Sequence, residues 1–339
     1  MKNHLHVGID VGSTTIKIVI MDDDLNVIHE DYQRHYSDTK NTLCKVLTEF
    51  AEKYKNNTYT ISLTGSGAMS AAKFMEIPFI QEVVACKRAV EKYIPQTDVV
   101  IELGGEDAKI IYFDQSIEQR MNGTCAGGTG AFIDQMASLL NTDASGLNEL
   151  AKNYKILYPI ASRCGVFAKT DDQPLINEGA NTSDIAASIF QAVVNQTISG
   201  LACGHPIKGH VAFLGGPLTY LSELRNRFIQ TLNLTKDEII VPENAHLLVA
   251  KGAILDSINK KEITHEELLN KITTLKTSKE SNGKSLNALF ENDEDYKEFV
   301  ERHDKNKVPR KNLSDFKGDC FVGIDAGSTT TKLVLINRD

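Results

Sequence analysis

Apolar residues near the amino terminus are arranged as expected for strands followed by a helix. The runs HVGID and IKIVIMD, then LNVIHED after the turn-like DDD, predict three successive antiparallel strands. The following segment, NTLCKVLTEFAEKY, has helical spacing of its apolar positions, which places on one face Leu43, Val46, Leu47 and Phe50. The chain therefore begins as a mixed α/β structure.

Further along, strands, glycine turns and helices alternate. TYTISLTGSG predicts a strand entering a turn, and DVVIELGGEDAKIIYFD predicts two strands joined by a Gly-Gly turn. GGTGAFIDQMASLL predicts a glycine-rich loop that opens a helix, and TSDIAASIFQAVVNQTISGL predicts a long helix capped by Thr or Ser. HVAFLGGPLTYLSELRNRFIQTL predicts a strand, a Gly-Gly turn and a helix.

One string occurs twice, as VGIDVGSTTIK at residues 7–17 and as VGIDAGSTTTK at residues 322–332, which argues against a chance match. Because one strand pair cannot bury its own face, we interpret the chain as a fragment. Residues 1–259 would be a complete unit, and residues 320–339 the opening hairpin of a second, truncated copy. Residues 260–319 are charge-rich and predict a solvated helical connector, with a docking segment as the alternative.

Composition narrows the class of protein. The net charge of −8 argues against a nucleic-acid or anionic-membrane partner. We find no apolar stretch approaching the roughly 20 residues of a membrane span, and no signal-peptide core, so we expect a cytoplasmic protein. The chain has 6 cysteines, which do not form a secreted disulfide framework at this length. Any paired cysteines should therefore serve redox or metal chemistry.

Three strand–turn elements, at residues 10–15, 102–107 and 214–217, place glycines where the backbone turns tightly. Free N–H groups in such turns form a nest for anions. Asp10 and Glu102 end their strands with a carboxylate, which suits Mg²⁺ between the protein and a triphosphate. One carboxylate could orient the attacking water. The turns match neither the G-x-x-x-x-G-K-[ST] nor the G-x-G-x-x-G pattern, so neither the P-loop nor the Rossmann interpretation applies.

The ordered set resembles the phosphate and adenosine motifs of the acetate and sugar kinase, heat-shock-70 and actin superfamily over residues 5–258. The resemblance implies two lobes of ribonuclease-H-like topology with ATP between them. It also implies that Asp10 and Glu102 are catalytic and hold Mg²⁺. The residues that would bind the nucleotide are Gly12, Ser13, Thr14, Thr15, Lys17, Gly104, Gly105, Gly128, Gly215 and Gly216.

Two cysteines stand in distinctive strings, Cys125 in NGTCAGGTGAFIDQMA and Cys164 in ASRCGVFAKTD. Each precedes glycine and an apolar stretch, so each thiol could lie near a helix N-terminus, which favours a thiolate. Two thiolates do not complete a usual iron–sulfur site, but a symmetric pair of chains supplies four. This arrangement predicts one cluster bridging a homodimer. We expect the remaining cysteines to be small buried hydrophobes: Cys44, Cys86, Cys203 and Cys320.

These strings, with IELGGEDAKI and FLGGPL, resemble the 2-hydroxyacyl-CoA dehydratase activator family, which is related to the ATPase subunits of benzoyl-CoA reductase. The repeat further resembles the long, multi-unit members. The resemblance implies ATP-driven transfer of a low-potential electron from a 4Fe–4S cluster, held by Cys125 and Cys164 of two subunits. The acceptor would be an iron–sulfur dehydratase or a double-cubane-type reductase, and the donor ferredoxin or flavodoxin.

Two features depart from the short activators. Glu102 and Glu106 stand where those proteins usually have Asp and Gln, and Cys86 stands where they have His. A third cluster-related thiol at Cys86 is one alternative. Two further functions stay open at this stage: a small-molecule kinase of the same superfamily, for which we recognise no substrate motif, and an ATP-binding scaffold that relays no electron.

Overall fold

The structure is a computed structural model that describes residues 4–113, 117–123, 127–161, 165–278, 288–327 and 330–337. It divides into two compact units, Met1–Ser278 and Lys279–Asp339. The first unit contains two β-sheets, each at the centre of one lobe.

Lobe I is built on a four-stranded sheet of order β3-β2-β1-β4. The strands are β1 (His4–Val11), β2 (Thr15–Met21), β3 (Val27–Arg34) and β4 (Thr58–Thr64). The first three pair antiparallel, as the apolar runs predict, and β4 pairs parallel with β1. Its outer face is covered by α1 (Thr39–Lys53), α2 (Met69–Met75) and α11 (His265–Thr277).

Lobe II is built on a five-stranded sheet of order β7-β6-β5-β8-β9. Its strands are β5 (Val99–Leu103), β6 (Ala108–Phe113), β7 (Ile117–Met121), β8 (Val211–Leu214) and β9 (Ile239–Ile240). The helices of this lobe are α4 (Gly130–Leu139), α5 (Ala144–Ala151), α6 (Gly165–Asn177), α7 (Thr182–Thr197), α8 (Gly216–Tyr220) and α9 (Ser222–Leu232).

The long helix α7 forms the centre of the lobe II core, and a π-helical turn, Ile198–Ala202, extends it. By length and composition alone, Thr182–Ala202 could cross a membrane, and 67% of its most apolar window is buried inside the protein. The expectation that no apolar stretch approaches this length was therefore wrong for this helix. Its apolar surface packs against the sheet and neighbouring helices.

Two helices, α3 (Glu82–Tyr93) and α10 (Leu248–Ser257), contact both sheets from the inside. Glycines permit their close approach. A Cβ on Gly8 of β1 would lie 2.1 Å from the carbonyl oxygen of Ala250, and one on Gly252 would lie 1.8 Å from that of Ala85. Since side chains alternate along a strand and the even positions of β1 face α10, Asp10 points toward this inner layer.

The first unit continues through Ser278 rather than ending at residue 259 as the sequence suggested. Helix α11 buries Leu268, Ile272 and Leu275 in the lobe I core, and Ile263 pairs with Tyr59 beside β4. The boundary at residue 259 was therefore placed too early. In the sequence, a charged amphipathic helix resembles a solvated connector, and only the folded chain shows that its apolar side packs against lobe I.

The second unit contains α12 (Asp293–Asp304), β10 (Phe321–Ala326) and β11 (Thr331–Ile336). The two strands form the antiparallel hairpin predicted from the repeat. Their register places Asp325 opposite Lys332, just as the register of β1 and β2 places Asp10 opposite Lys17.

Candidate functional site

A cavity of about 440 Å³ lies between the two lobes. Lobe I contributes Thr14, Thr15 and Lys17, and lobe II contributes Gly104, Gly105 and Gly216, all six among the predicted nucleotide-binding residues. The structure thus brings the three predicted glycine turns together around one cavity.

The first turn joins β1 to β2 and is closed by its own backbone. The Gly12 N–H donates to the Thr15 carbonyl at 2.9 Å, and the N–H of His35 donates to the Thr14 carbonyl at 3.1 Å. His35 Nε2 lies 3.1 Å from the Gly12 carbonyl oxygen. Ser13 lies half-buried in the bend. The turn is therefore held from both sides, which fixes the position of Asp10 at the end of β1.

The second turn touches the first across the cavity. A Cβ on Gly105 would lie 2.0 Å from Thr14 Oγ1, so no other residue fits without displacing that side chain. The turn is also joined to the next helix, because the N–H groups of Gly130 and Ala131 donate to the carbonyls of Gly104 and Gly105 at 3.0 and 2.7 Å. The first turn of α4 is thus bonded to the predicted phosphate turn.

The third turn requires glycine for its backbone. Gly215 has φ +86°, and a Cβ there would lie 2.1 Å from the Leu103 carbonyl oxygen. A Cβ on Gly216 would lie 2.9 Å from the Tyr32 hydroxyl. Gly128 differs from the other predicted residues: it has φ +79° and packs against Gln196, away from the residues that line the cavity.

A buried ion pair lies below the first turn. Lys17 Nζ donates to Asp10 Oδ2 at 2.7 Å, and the two residues are direct partners in the β1–β2 register. Burial disfavours the ammonium, but the charges of Asp10 and then Glu102 outweigh it and raise the pKa of Lys17. The other Asp10 oxygen, Oδ1, is buried and has no hydrogen-bond partner in the described structure.

Lobe II repeats this arrangement with a different pairing. Lys109 lies opposite Glu102 in the β5–β6 register, yet its ammonium donates to Glu82 Oε1 of α3 at 2.6 Å. Burial, followed by the charge of Glu102, raises the pKa of Glu82 to about 7. Glu102 is 5% exposed, and its Oε2 has no hydrogen-bond partner among the residues described.

Sequence reasoning missed Lys109, although a spacing could have revealed it. Asp10 and Lys17 are 7 residues apart, as are Asp325 and Lys332, and Glu102 and Lys109 have the same separation. A strand-end acid with a lysine at this spacing places the lysine on the neighbouring antiparallel strand, directly across from the acid.

The buried carboxylates indicate where a cation would bind. Asp10, Glu82 and Glu102 lie around two lysines, Lys17 and Lys109, and a pKa of about 7 leaves Glu82 only partly ionised at pH 7. The oxygens of Asp10 and Glu102 that lack a hydrogen-bond partner among the described residues suit a hard divalent cation with oxygen ligands. Together with the glycine turns above them, these residues fit Mg²⁺ and the phosphates of a nucleotide.

Aromatic residues form one side of the cleft. Tyr32 of β3 lies with its ring centroid 6.0 Å from Tyr220 and 5.2 Å from His246, whose Nε2 is 3.0 Å from the Tyr220 hydroxyl. Burial, and then the charge of Lys17, lowers the pKa of His246 to about 4, so its ring is neutral at pH 7. No local motif marks these residues, because only the folded chain brings them together.

One exposed ion pair crosses the cleft. Arg34 of β3 donates to Asp134 Oδ2 of α4 at 2.9 Å, and both residues line the cavity. It links lobe I to the same helix that is bonded to the second turn. Sequence reasoning missed this pair as well, since its members are 100 residues apart.

Cys125 and Cys164 both lie outside the described residues, but the helices that follow them are described. Helix α6 begins directly after Cys164, and a Cβ on its first residue, Gly165, would lie 2.8 Å from Gln135 Oε1 of α4 and 3.5 Å from Phe132. The first turn of α6 therefore lies against α4, the helix that follows Cys125.

The other cysteines only partly match expectation. Cys44 and Cys86 are buried as predicted, whereas Cys203 is exposed at the end of the π-helical turn and Cys320 is half-buried. The prediction was therefore wrong for Cys203. Burial, and then the charge of Glu102, raises the pKa of Cys86 well above its usual value, which keeps it a thiol.

Known sequences resemble the first unit along nearly all of its length. Residues 7–256 match the BadF/BadG/BcrA/BcrD ATPase family. A 2-hydroxyisocaproyl-CoA dehydratase activator of Clostridioides difficile is 28% identical over 270 residues, or 78% of this chain and 98% of the relative. An (R)-2-hydroxyglutaryl-CoA dehydratase activating ATPase of Acidaminococcus fermentans is 30% identical over 216 residues, or 62% of this chain and 82% of the relative.

Solved structures show the same likeness. Component A of the Acidaminococcus fermentans (R)-2-hydroxyglutaryl-CoA dehydratase superposes with a TM-score of 0.66 at 27% identity, covering 76% of this chain and 98% of that one. The activator of the 2-hydroxyisocaproyl-CoA dehydratase from Clostridium difficile, with bound ADPNP, gives 0.64 at 26% identity, covering 84% and 100%.

The two lobes have the ribonuclease-H-like fold of the acetate and sugar kinase, heat-shock-70 and actin superfamily, as the ordered turns predicted. The cavity between them is lined by those turns, with unpaired buried carboxylate oxygens below it. With the family match over residues 7–256, this shows that the chain belongs to the BadF/BadG/BcrA/BcrD ATPase family.

Proposed function

We propose that this ATPase is an activator that transfers a low-potential electron to an iron–sulfur dehydratase or a double-cubane-type reductase. The electron would come from a 4Fe–4S cluster shared by two copies of the chain. Ferredoxin or flavodoxin would supply this electron to the cluster in the cytoplasm. Relatives named as dehydratase activators, at 28% and 30% identity, support the role.

One observation carries the proposal: the helix after Cys125 is bonded to the predicted phosphate turn. Any shift of Gly104 and Gly105 on nucleotide binding moves the first turn of α4, because the N–H groups of Gly130 and Ala131 donate to their carbonyls. Helix α6, after Cys164, lies against α4 and would follow it. Nucleotide state and thiol geometry would thus be coupled, provided that ATP binds one arrangement of the lobes more tightly.

Hydrolysis would use the carboxylates below the turns. Asp10 and Glu102 would hold Mg²⁺, which would neutralise charge developing on the phosphates. Each has one buried oxygen without a hydrogen-bond partner among the described residues, Oδ1 of Asp10 and Oε2 of Glu102. Asp10 is also bonded to Lys17, so Glu102 is the better candidate to orient a water. Lys17 lines the cavity and would face the phosphate end of the nucleotide.

The cysteine ligands would be Cys125 and Cys164 from each of two subunits. A bound cluster supplies one-electron chemistry at a potential that its protein surroundings tune. The chain's own part would be to carry these cysteines in the segments that precede α4 and α6. A shift of about 59 mV in potential corresponds to a tenfold change in the equilibrium constant for one electron.

The test is an anaerobic count of iron and sulfide in the full chain and three variants. We expect about two iron atoms per chain in the native protein, since four would be divided between two subunits. Cys125→Ser and Cys164→Ser should each lose the iron and keep nucleotide binding. The matched control, Cys203→Ser at an exposed thiol, should keep both.

Three outcomes would contradict the proposal. Iron retained in both cysteine variants would remove the assigned ligands. A native protein that binds no iron under anaerobic reconstitution and hydrolyses ATP only with a sugar or acid present would favour the kinase alternative. An unchanged cluster potential in all nucleotide states would favour the scaffold alternative.

A further inference from the structure

A second cluster of ligand groups lies at the opposite end of β1 from Asp10. We propose that His4, His6 and Asp23 bind a divalent transition-metal ion of the Zn²⁺ type, in a structural role independent of nucleotide. One ligand atom from each of the three residues lies within 4.8 Å of the others, and the site is empty. The inference does not depend on the proposed electron transfer.

The two imidazoles are positioned by the neighbouring strand. His4 and His6 lie two residues apart on the same face of β1. The register with β4 places Thr58 and Thr60 directly beside them. His6 Nδ1 lies 2.6 Å from Thr60 Oγ1, and His4 Nδ1 lies 3.1 Å from Thr58 Oγ1. Histidine ligands of metals have one ring nitrogen held by such a hydrogen bond, which leaves the other as the metal ligand.

The separations between the groups are too long for hydrogen bonds and suit an ion between them. His6 Nε2 lies 3.6 Å from Asp23 Oδ1. Zinc bonds to nitrogen and oxygen of about 2.0–2.2 Å span this gap at an open angle. The His4 and His6 ring centroids are 4.7 Å apart. The loose 3.4 Å contact of His4 Nε2 with Thr60 Oγ1 would yield to the stronger metal bond.

The charges at this site favour a cation. Asp23 Oδ1 lies 3.6 Å from His6 Nε2, so a carboxylate stands beside this buried imidazole. Glu262 Oε2 lies 3.6 Å from His4 Nδ1, beyond hydrogen-bond distance, and adds a second negative charge beside the imidazoles. His6 is 4% exposed, so its ring is already desolvated and held in place.

The bound ion would join three parts of lobe I that are distant in sequence. His4 and His6 belong to the first strand, Asp23 to the β2–β3 turn, and Glu262 to the segment between α10 and α11. An ion here would hold the turn and that segment against the first residues of β1, at one end of the sheet. The expected role is therefore stabilisation of lobe I, with no contribution to hydrolysis.

The test uses the full chain carrying Cys125→Ser and Cys164→Ser, so that the cluster thiols cannot compete. Zn²⁺ alone is titrated against a chromogenic chelator, and Co²⁺ alone is followed by its visible spectrum. We expect one ion per chain, a Co²⁺ spectrum without a thiolate charge-transfer band, and a higher melting temperature with Zn²⁺. His4→Gln and Asp23→Asn should abolish all three effects, and Glu262→Gln should weaken binding less than either because it removes only a nearby charge.

The control is His29→Gln, a half-buried histidine on β3 of the same lobe, which should bind like the parent. Buried His6 is left unchanged because its replacement could prevent folding. Equal Zn²⁺ affinity in the parent, His4→Gln and Asp23→Asn chains would overturn the proposal. So would a Co²⁺ spectrum from the native chain that shows only thiolate ligation and disappears when the two cysteines are replaced.

Discussion

Each lobe buries a strand-end carboxylate opposite a lysine, but the two lysines have different partners. Lys17 is bonded to Asp10, whereas Lys109 donates to Glu82, and no described residue forms an ion pair with Glu102. An unpaired buried carboxylate oxygen is costly unless a ligand or water completes it. The asymmetry therefore makes Glu102 the group most dependent on Mg²⁺, water or nucleotide.

Replacing Glu102 should separate hydrolysis from binding. Glu102→Gln keeps the shape of the side chain and removes its charge, so phosphate release should fall by about 10²–10⁴-fold while binding of an ATP analogue survives. Both are measured on the same preparation. Glu106→Gln, at an exposed position in the same turn, is the matched control and should hydrolyse ATP like the native chain. Native rates in the Glu102 variant would remove it from the catalytic residues.

Asp172 of α6 should make stability depend on pH. Its side chain is fully buried, both oxygens lack a hydrogen-bond partner in the part of the chain described, and burial, then the charge of Asp171, raises its pKa to about 7. Because the folded pKa is the higher one, the stabilisation is complete below the unfolded pKa of about 4 and is lost as pH rises toward 7.

The measurement is the free energy of unfolding by denaturant between pH 4 and pH 8. Asp172→Asn should reduce the fall with pH by on the order of 2–4 kcal/mol. Glu178→Gln, at an exposed position just after α6, should leave the fall unchanged. Identical pH profiles for the native chain and Asp172→Asn would show that Asp172 is ionised in the folded protein.

Helix α10 approaches the backbone of two neighbouring elements closely at glycine residues. It meets β1 at Gly8 and α3 at Gly252, where an added Cβ would overlap backbone oxygen. Backbone cannot move aside as a flexible side chain can, so these glycines fix how closely α10 approaches both lobes.

Gly252→Ala should destabilise the protein even though alanine favours helices. The new Cβ would lie 1.8 Å from the Ala85 carbonyl oxygen, and relief requires α10 and α3 to separate. Overpacking of this kind costs about 1–3 kcal/mol, measured as a lower free energy of unfolding. Gly123→Ala is the control, because no described residue lies within 4 Å of the Cβ added there. Equal losses in both variants would point to backbone flexibility instead of the contact.

Apolar runs and helical spacing were sufficient to predict β1–β3, α1 and α7, and glycines to predict the three turns, because each depends on neighbours in sequence. The cap of α7 is Asn181 and not the predicted Thr or Ser. The rest of the site depends on contacts between distant segments. Arg34 and Asp134 meet only when the lobes are assembled, and Tyr220 contacts His246 only after α8 and the turn before α10 are placed. The apolar stripe of α11 could be recognised in the sequence, but no neighbouring residue in the sequence shows which surface of the protein packs against it.

For the molecule as a whole, the division at residue 278 predicts how shortened chains behave. Residues 1–278 should fold and bind nucleotide as the full chain does. Residues 1–259 lack α11 and so lose Leu268, Ile272 and Leu275, which cover the lobe I core in the full chain. Each such side chain contributes about 1.5–3 kcal/mol when buried.

Melting temperatures of the two shortened chains provide the measurement. The shorter one should melt well below the longer one or fail to accumulate as folded protein. If both melt together at the temperature of the full chain, α11 is not part of the first unit.

The β10–β11 hairpin gives the chain an internal reference for the buried ion pair of Lys17 and Asp10. Lys332 and Asp325 are 3.0 Å apart with both side chains 66% exposed, whereas Lys17 and Asp10 are 2.7 Å apart with side chains 12% and 1% exposed. Strand register and spacing are shared, so only the surroundings differ. Comparing proton exchange at the two ammonium groups by NMR would measure, within one polypeptide, how strongly enclosure by the lobes shields a lysine from water.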